Sequence, residues 1–323
     1  MPGPLTGGTF AVTGAAGFIG ACLVERLAAN RCRIIRVARG PLPPIGPASA
    51  ASVIDVAGDV RDRATWDQAA EADVIFHFAA QTSVAIAAAD ADADFHANVT
   101  PMRHLVAACR QRRHHPVVLF AGTVTEAGVP SRVPVNEDEA DDPITTYDRH
   151  KLMAEDDLKA AAAQLAVCGA TLRLSNVYGP GARGRRHDRD ILNRMISSAL
   201  QGAPLTVFGT GEYVRDYVFI DDVVDAFLMA AAAPEQINGR HFVIGSGQGV
   251  TIRDAFGLIA ARVEAITGRR VPVVSAAPPA PLSDIERRHF VADPSRFSAA
   301  TGWRASWGLA GGIDRTIEAL TCA

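Results

Sequence analysis

The fold is decided by a stretch near the start of the chain, Thr9-Phe10-Ala11-Val12-Thr13-Gly14-Ala15-Ala16-Gly17-Phe18-Ile19-Gly20. Its first four residues predict a short buried strand, and residues Ala21 to Ala29 predict a helix. Gly14 allows a sharp turn, Gly17 allows a pyrophosphate to approach the backbone, and Gly20 allows the helix to pack close to the strand. Because the first turn of a helix offers free N–H groups and a positive dipole end, this stretch predicts a phosphate-binding site.

The composition is that of a globular protein. The chain has 323 residues, of which 48% are hydrophobic and 21% charged, which fits two domains or one large domain. A net charge of −3 gives no general attraction to nucleic acid or to anionic membranes. No apolar run approaches the roughly 20 residues needed to span a bilayer. The five cysteines form no Cys-x-x-Cys motif and the N-terminus lacks the pattern of a signal peptide, so a cytoplasmic protein without disulfides or zinc is expected.

Short apolar runs alternate with amphipathic stretches through the first half of the chain. Further strands are predicted at Cys32 to Val37, Val53 to Val56, Val74 to Phe78, Val117 to Phe120 and Thr171 to Leu174. Helices are predicted from Asn98 to Arg112 and from Thr146 to Ala166. The alternation predicts an α/β protein with a doubly wound parallel Rossmann sheet, whose ligands lie at the carboxyl ends of the strands.

The pattern becomes less regular after residue 178, where Gly and Pro are frequent. The segment Val218 to Ile220 and the apolar helix Val223 to Ala232 are interpreted as a return to the first domain. We therefore expect a Rossmann domain at residues 1–176 and 213–246. Residues 177–212 and 247–323 are expected to form a smaller, discontinuous α+β substrate-binding domain.

Tyr147 and Lys151 are four residues apart on a predicted helix and therefore share one face of it. A free tyrosine has a pKa near 10, about three units too high for easy proton exchange at neutral pH. A nearby cation stabilises the phenolate and lowers that pKa, so the pair can act as a general acid and base. Because any amphipathic helix can contain this spacing, a solvent-exposed helix face is the alternative.

The surroundings of the pair favour the catalytic interpretation. Thr123 lies 24 residues before Tyr147 at the end of a predicted strand, where its hydroxyl can donate to a substrate oxygen. Asn98 is predicted to begin a helix and to help hold the lysine through backbone or water contacts. His150 points about 100° away from Lys151 on the helix, so a supporting or surface role is expected for it.

The chain resembles the extended short-chain dehydrogenases/reductases, the NAD-dependent epimerase/dehydratase family of nucleotide-sugar epimerases, dehydratases and reductases. The glycine spacing is Gly-x-x-Gly-x-x-Gly rather than the commonest Gly-x-Gly-x-x-Gly. The resemblance runs nearly from end to end of the chain. Its other motifs are Gly58 to Asp62, Phe78-Ala79-Ala80, Asn98-Val99, Tyr147 with Lys151, Leu172 to Gly179, Arg215-Asp216-Tyr217 with Asp221-Asp222, and Asp293-Pro294-Ser295 with Thr301-Gly302-Trp303.

The resemblance implies a role for individual residues. Thr123, Tyr147 and Lys151 are the implied catalytic residues. The implied cofactor contacts come from Gly14, Gly17, Phe18, Ile19, Gly20, Asp59, Val60, Ala79, Ala80, Asn98, Tyr147, Lys151 and Ser175. The implied substrate contacts come from Gln81, Thr123, Thr125, Tyr147, Asn176, Arg215 and Arg288, with Asn176 and Arg215 on the diphosphate of a nucleotide sugar. A salt bridge to Asp216 or Asp221 is the alternative for Arg215.

Two departures from the family pattern narrow the reaction. Members that remove water carry Thr-Asp-Glu from the catalytic hydroxyl onward, whereas this chain has Thr123-Val124-Thr125 with Glu126 one place too late, so dehydration is disfavoured. At the end of the second strand, where a carboxylate usually meets the ribose 2′-hydroxyl, Ala38 is followed by Arg39. Arg39 can pair with a 2′-phosphate, so NADP(H) is favoured as cofactor. In the alternative, Arg39 is a solvated loop residue and NAD(H) binds.

The expected reaction is NADPH-dependent reduction of the C4 ketone of a nucleotide-linked 4-keto-6-deoxyhexose. The segment Val37 to Gly40 and the C-terminal residues from Thr301 onward resemble such ketoreductases, whereas Gln81-Thr82-Ser83 and the approach to Tyr147 look more like epimerases. The alternatives are a nucleotide-sugar 4-epimerase and a cofactor-sensing protein without catalysis. A homodimer is expected from the resemblance. No metal site is predicted, and the basic segment Gly181 to Arg186 is not interpreted as a nucleic-acid site.

Overall fold

The computed structural model describes residues 6–112, 115–182 and 190–322. Its strands form one large sheet and two small sheets. The strands are β1 (Thr9–Thr13), β2 (Arg33–Ala38), β3 (Ser52–Ala57), β4 (Val74–His77), β5 (Val117–Thr123), β6 (Cys168–Leu174), β7 (Asn176–Tyr178), β8 (Leu205–Phe208), β9 (Val214–Phe219), β10 (Arg240–Ile244), β11 (Gly249–Thr251) and β12 (Val273–Ala276). Seven of them form one parallel sheet in the order β3-β2-β1-β4-β5-β6-β10. This sheet confirms the predicted doubly wound α/β class.

The helices cover both faces of the large sheet and surround two small sheets. They are α1 (Phe18–Ala28), α2 (Trp66–Ala69), α3 (Val84–Ala89), α4 (Ala91–Asn98), α5 (Thr100–Cys109), α6 (Thr146–Ala163), α7 (Ile191–Leu200), α8 (Ile220–Ala231), α9 (Pro234–Ile237), α10 (Ile252–Thr267), α11 (Asp284–Arg287), α12 (Ser295–Thr301) and α13 (Leu309–Thr321). The small sheets are β11-β9-β7 and β12-β8. None of the described helices is long and apolar enough to cross a membrane.

Alternation along each central strand divides the core into two layers. Phe10 and Val12 of β1 pack in one layer with α1 and α8, whereas Ala11 between them packs in the other. The second layer contains α2, α5 and α6. Successive side chains of a strand point to opposite faces, so a strand that is apolar at every position is buried on both sides.

The structure corrects one element prediction and adds detail to another. The segment from Asn98 to Arg112 is two helices rather than one, because α4 ends at Asn98 and Pro101 opens the first turn of α5. The segment Val218 to Ile220, expected to return to the first domain, ends β9 and begins α8, and β9 pairs with β7 and β11 in a small sheet. The strand that does complete the large sheet is β10, which sequence patterning did not predict.

Candidate active site

The glycine turn between β1 and α1 is built for close approach. Gly14 has a φ of +65°, and a Cβ there would lie 2.8 Å from the backbone nitrogen of Ala79. A Cβ on Gly20 would lie 2.4 Å from the carbonyl oxygen of Gly14. Gly17 caps α1 without a side chain, and the first turn of the helix carries no acidic residue. The positive end of the helix is thus available to an anion, and the turn fits the pyrophosphate of a dinucleotide.

The strand ends β1 and β4 are locked together by a threonine and a histidine that the sequence analysis did not single out. The Thr13 hydroxyl accepts the N–H groups of Phe78 and Ala79 at 3.1 and 3.2 Å and lies 2.8 Å from Nδ1 of His77. Burial, with a smaller contribution from Lys151, lowers the pKa of His77 to about 3, so this histidine is neutral. Because the Thr13 oxygen already accepts two N–H groups, its hydroxyl proton is left to donate to Nδ1 of His77. These bonds fix the loop carrying Ala79 and Ala80 beside the glycine turn.

Three of the predicted cofactor contacts, Arg39, Asp59 and Val60, follow the ends of β2 and β3. The Asp59 carboxylate accepts hydrogen bonds from Nε and Nη2 of Arg61 at 3.0 and 2.7 Å. This hydrogen bonding, together with the more distant charge of Arg39, lowers the pKa of Asp59. Arg39 itself is exposed at the end of β2. The carbonyl oxygen of Val60 accepts the indole N–H of Trp66 at 2.9 Å. Arg39, Arg61 and Asp59 thus form a charged group beyond the ends of β2 and β3.

Tyr147 and Lys151 lie in the first turns of α6, as predicted. The helix begins with a capping box in which Thr145 and Asp148 bond each other's backbone N–H groups. Lys151 is only 2% exposed, and its ammonium lies 3.7 Å from the centre of the Phe120 ring. The α6 face carrying these residues packs against β5 and the short 3-10 turn that follows it.

The protein alone does not lower the pKa of Tyr147, contrary to expectation. Burial raises that pKa above its ordinary value, and the carboxylates of Glu126, Asp148 and Asp94 raise it further. Burial also lowers the pKa of Lys151 to about 8, although the carboxylates nearby act in the opposite direction. Desolvation and the neighbouring carboxylates therefore set the direction of the Tyr147 pKa shift.

Thr123 ends β5 and belongs to a short chain of hydroxyls. Its Oγ1 lies 2.9 Å from Oγ1 of Thr125, and the Thr125 hydroxyl donates to Oδ1 of Asp148. The backbone N–H of Thr123 donates to Oε1 of Glu126 at 2.8 Å. Both predicted hydroxyl residues are thereby tied to acidic side chains that sequence patterning did not assign to the site.

A buried ion-pair network lies behind Thr123. Arg173 of β6 contacts Glu126 at 2.9 Å, Glu155 at 2.6 Å and Asp141 at 2.5 Å. Burial raises the pKa of Glu126, as does Glu155, while Arg173 acts to lower it. Because the Glu126 carboxyl faces Thr123 and Arg173, it is a supporting group for the end of β5.

Asp94 organises the loop that follows β4. This fully buried carboxylate accepts Nε2 of Gln81 at 2.6 Å, Nδ2 of Asn98 at 3.0 Å and Nδ1 of His150 at 2.7 Å. Asn98 also bonds the backbone N–H and carbonyl of Gln81, and it ends α4 instead of beginning a helix. His150, for which a supporting or surface role is expected, contacts Asp94 rather than Lys151.

The amide of Gln81 is engaged within the chain at both ends. Its Nε2 donates to Asp94 and to the Ser83 carbonyl, and its Oε1 accepts the N–H of Ser83. The amide of Gln81 is thus held within the chain, and its contact with a substrate stays a prediction.

Arg215 and Arg288 lie together in the part of the chain after β9. Arg215 donates to the carbonyl oxygens of Val214, Glu286 and Arg288. Arg288 donates to the Ile285 carbonyl at 2.8 Å, and its buried Nε has no partner among the described residues. Burial and the charge of Arg215 lower the pKa of Arg288 to about 10.

The alternative salt bridge of Arg215 to Asp216 or Asp221 is not formed. Asp216 accepts hydrogen bonds from Ser246, Gly247 and Ala292, and Asp221 lies 4.0 Å from Arg26. Across the described ranges, no carboxylate forms an ion pair with Arg215 or Arg288. Two buried guanidinium groups without counter-ions attract an anion, and planar guanidinium groups suit a diphosphate.

Ser175 and Asn176 occupy the junction between β6 and β7. The Ser175 N–H donates to the Ile244 carbonyl at 2.9 Å, and its hydroxyl lies 3.5 Å from Asp216. Asn176 begins β7 and is half-buried. Within the described part of the chain, no group of three or more His, Cys, Asp or Glu residues could hold a metal ion. Residues 183–189, which contain most of the basic segment, lie outside the described residues.

The chain is similar to nucleotide-sugar enzymes over almost its whole length. It is 32% identical to the UDP-glucose 4-epimerase of Mycolicibacterium smegmatis over 95% of this chain and 96% of that protein. It is 29% identical to the dTDP-4-dehydro-6-deoxyglucose reductase of Escherichia coli over 64% of this chain and 61% of that protein. The crystal structure of the Thermotoga maritima UDP-glucose 4-epimerase with UDP-glucose has a TM-score of 0.83 at 28% identity and covers 97% of this chain and 99% of that chain.

A family model described as the NAD dependent epimerase/dehydratase family matches residues 10–245. This range contains the glycine turn, the Tyr147–Lys151 pair and Arg215. The chain belongs to the NAD-dependent epimerase/dehydratase family, and it is an enzyme of the NAD(P)-dependent, nucleotide-sugar type.

Proposed function

We propose that this chain is a 4-epimerase of a UDP-hexose that works with tightly held NAD. The observation that carries the proposal is the combination of Tyr147, Lys151 and Thr123 around one edge of the sheet with similarity to a UDP-glucose 4-epimerase along 95% of the chain. A structure of the Thermus thermophilus UDP-glucose 4-epimerase complexed with NAD has a TM-score of 0.82 to this chain at 27% identity. The sequence alone favours a ketoreductase with the 4-epimerase as an alternative, and the proposed function reverses that order.

One set of residues would bind the diphosphate of the substrate, and another would act on the C4 oxygen of the sugar. Arg215 and Arg288 hold the diphosphate, because they are buried cations that form no ion pair with a carboxylate of the described residues. Tyr147 holds and releases the proton of the C4 oxygen, Lys151 fixes and tunes the phenol, and Thr123 orients the same oxygen. A bound nicotinamide would supply hydride transfer from and to C4. The glycine turn binds its pyrophosphate through Gly14, Gly17, Gly20 and the first backbone N–H groups of α1.

Dehydration is not proposed. It requires an acid and a base directed at C5 and C6, and the carboxyl nearest to Thr123 along the chain belongs to Glu126. That carboxyl accepts the Thr123 N–H and contacts Arg173 inside the protein, so its orientation favours a structural role.

A second candidate is the NADPH-dependent reduction of a nucleotide-linked 4-keto-6-deoxyhexose. It is favoured by the absence of a carboxylate at the end of β2 and by the position of Arg39, whose charge acts on Asp59. Arg39 could pair with a 2′-phosphate there. We expect Arg39→Asp to weaken NADPH binding in a titration, whereas an unchanged affinity would make Arg39 a bystander.

One set of assays separates the two candidates. The purified protein is incubated with UDP-glucose or UDP-galactose without added cofactor, and separately with dTDP-4-keto-6-deoxyglucose and NADPH. Interconversion of the UDP-hexoses, with NAD released on denaturation, supports the proposal. Consumption of NADPH without interconversion refutes it. In either reaction Tyr147→Phe should lower turnover by roughly 10²–10⁴-fold while the cofactor still binds.

We also propose the domain division and the assembly expected from the sequence. The large sheet would bind the dinucleotide within residues 1–176 and 213–246, and residues 177–212 with 247–323 would bind the nucleotide sugar. Strand β9 falls inside the first range although it pairs with a small sheet. A homodimer would be detected by sedimentation of the purified protein, and a monomer would refute that part of the proposal.

A further inference from the structure

Three hydroxyl groups converge on the carboxylate that follows the catalytic tyrosine or on its immediate partner. Asp148 is 1% exposed and accepts hydrogen bonds at both oxygens. Its Oδ2 accepts the hydroxyl of Thr145 at 2.7 Å and the N–H of Thr145 at 3.2 Å. Its Oδ1 accepts the hydroxyl of Thr125, which in turn lies 2.9 Å from the Thr123 hydroxyl. The backbone N–H of Thr145 can only donate, and the Thr125 hydroxyl donates to the other oxygen, so both oxygens of Asp148 act as acceptors.

Helix capping does not account for the whole arrangement. The capping box of α6 uses only Oδ2 of Asp148 and the N–H groups at the start of the helix. Oδ1 points instead across to Thr125, in the turn after β5. A cap alone would be complete without this second contact, which links the start of α6 to the catalytic hydroxyl.

The number of protons fixes the direction of the hydrogen bonds in the chain. A hydroxyl has one proton, and Thr125 gives its proton to Asp148 because a carboxylate has none to give. The proton between Thr125 and Thr123 must therefore come from Thr123. The Thr123 oxygen already accepts the N–H of Thr125 at 3.3 Å, so the capacity that it keeps for a ligand is a lone pair.

We propose that Asp148, acting through Thr125, is a positioning residue that makes Thr123 a hydrogen-bond acceptor toward the substrate, so that the site selects a C4 hydroxyl over a C4 ketone. A hydroxyl can donate to Thr123, whereas a ketone offers only acceptor atoms and meets another acceptor. The sequence analysis assigned the opposite direction, with Thr123 as donor. This inference rests on the proposed function, in which the bound ground-state substrate is an alcohol.

The test compares two ligands that differ only at C4, UDP-6-deoxyglucose and UDP-4-keto-6-deoxyglucose, by isothermal titration of the NAD-bound protein. One lost hydrogen bond against a buried acceptor changes affinity by about tenfold. We expect the wild-type protein to prefer the alcohol by about that factor. Thr125→Val, which lacks the hydroxyl but keeps the side-chain shape, should abolish the preference. Thr125→Ser should retain it, and Asp148→Asn should reduce it because an amide can donate to Thr125.

The ratio of the two affinities separates positioning from a purely structural role. A variant that is only less stable loses affinity for both ligands, and the ratio stays at the wild-type value. An unchanged ratio in Thr125→Val, or a wild-type protein that binds the two ligands equally or not at all, overturns the inference. Failure of the proposed function is seen separately, as the absence of UDP-glucose and UDP-galactose interconversion in the wild-type protein.

Discussion

Replacing Lys151 with methionine should make the cofactor-free protein more stable and inactive. The ammonium of Lys151 is buried at the carboxyl edge of the sheet, and burial lowers its pKa from 10.5 to about 8. The folded state therefore disfavours the charged lysine that is present at neutral pH. Methionine has a similar length and flexibility but no charge, so it can fill the same space without that penalty.

The magnitude follows from the pKa difference. The pKa of Lys151 falls by 10.5 − 8 = 2.5, which corresponds to about 3 kcal/mol at 1.36 kcal/mol for each unit. The cation also lies 3.7 Å over the Phe120 ring, a contact that stabilises the charged form by about 0.5–2 kcal/mol. We therefore expect Lys151→Met to raise the free energy of unfolding at pH 7 by about 1–3 kcal/mol.

The pH dependence gives the sign of the effect. Between pH 8 and 10.5 the unfolded chain binds more protons at this lysine than the folded chain does, so the stability of the wild-type protein rises with pH in this window. Below pH 8 the lysine is charged in both states and the full penalty remains. The stability advantage of Lys151→Met should therefore shrink as the pH rises from 8 to 10.5. Taking the difference between the two proteins cancels the titration of all other groups.

Urea denaturation of the cofactor-free proteins at several pH values measures this difference. Lys159, the only other lysine of the chain, lies on the same helix but is partly exposed, so Lys159→Met is the matched control. With ¹³C-labelled lysine, the signal that remains in Lys159→Met reports Lys151 directly and should titrate near pH 8. Titration near 10.5, or a Lys151→Met protein less stable than wild type at pH 7, refutes the reasoning.

Two further predictions concern the cofactor turn and the anion site. Gly20→Ala should weaken dinucleotide binding and destabilise the protein by about 1–3 kcal/mol, because its Cβ would lie 2.4 Å from the Gly14 carbonyl oxygen. Gly40→Ala is the control, since a Cβ there has no atom within 4 Å, and an equal loss of affinity in both variants would contradict this reading of the turn. Arg288→Met should raise the KM for a UDP-hexose about 10–100-fold, as expected for a lost charge-assisted hydrogen bond, without reducing the stability of the unliganded protein. The exposed Arg287→Met should leave the KM unchanged, and equal effects of the two substitutions would exclude a specific role for Arg288.

The parts of the fold and site that the sequence predicted depend on local spacing. The glycine turn follows from three residues within seven positions, and Tyr147 and Lys151 share a face because a helix repeats every 3.6 residues. The alternation of short strands and helices predicted the parallel sheet for the same reason. Each of these features can be read from neighbouring residues without knowledge of distant contacts.

The features that were missed depend on pairs far apart in the chain. Arg173 joins Glu126 and Glu155 from three separate elements, and no sequence spacing indicates that these charges meet. Strand β10 is apolar like other strands, but its place at the edge of the large sheet is set by pairing with β6, whose residues lie 70 positions earlier in the chain.

 The register that pairs Leu172 with Phe242 is a contact between distant parts of the chain, which local patterning does not contain.

The direction of individual hydrogen bonds was also beyond the sequence. Thr123 was expected to donate because a hydroxyl near a substrate oxygen can do so. In the structure the Thr125 hydroxyl donates to Asp148, and we therefore assign the proton between Thr125 and Thr123 to Thr123. Similarly, the amide of Gln81 is held by Asp94 and Ser83, and no spacing in the sequence indicates these bonds. A residue type shows which bonds are possible, whereas the neighbours determine which of them form.

The carboxylates around the catalytic pair have opposite effects on its two members. Glu126 and Asp94 favour the charged form of Lys151 against burial, and the same two groups favour the neutral form of Tyr147. With a pKa of about 8, Lys151 is mostly charged at pH 7, while the raised pKa of Tyr147 keeps its proton in place. The protein alone therefore holds the pair in the proton-donating form. An additional positive charge near the phenol, such as an oxidised nicotinamide ring carries, would favour removal of a proton from a C4 hydroxyl, because a cation shifts the phenol pKa downward. The acceptor orientation of Thr123 complements this state, since it binds the hydroxyl before Tyr147 is ready to take the proton.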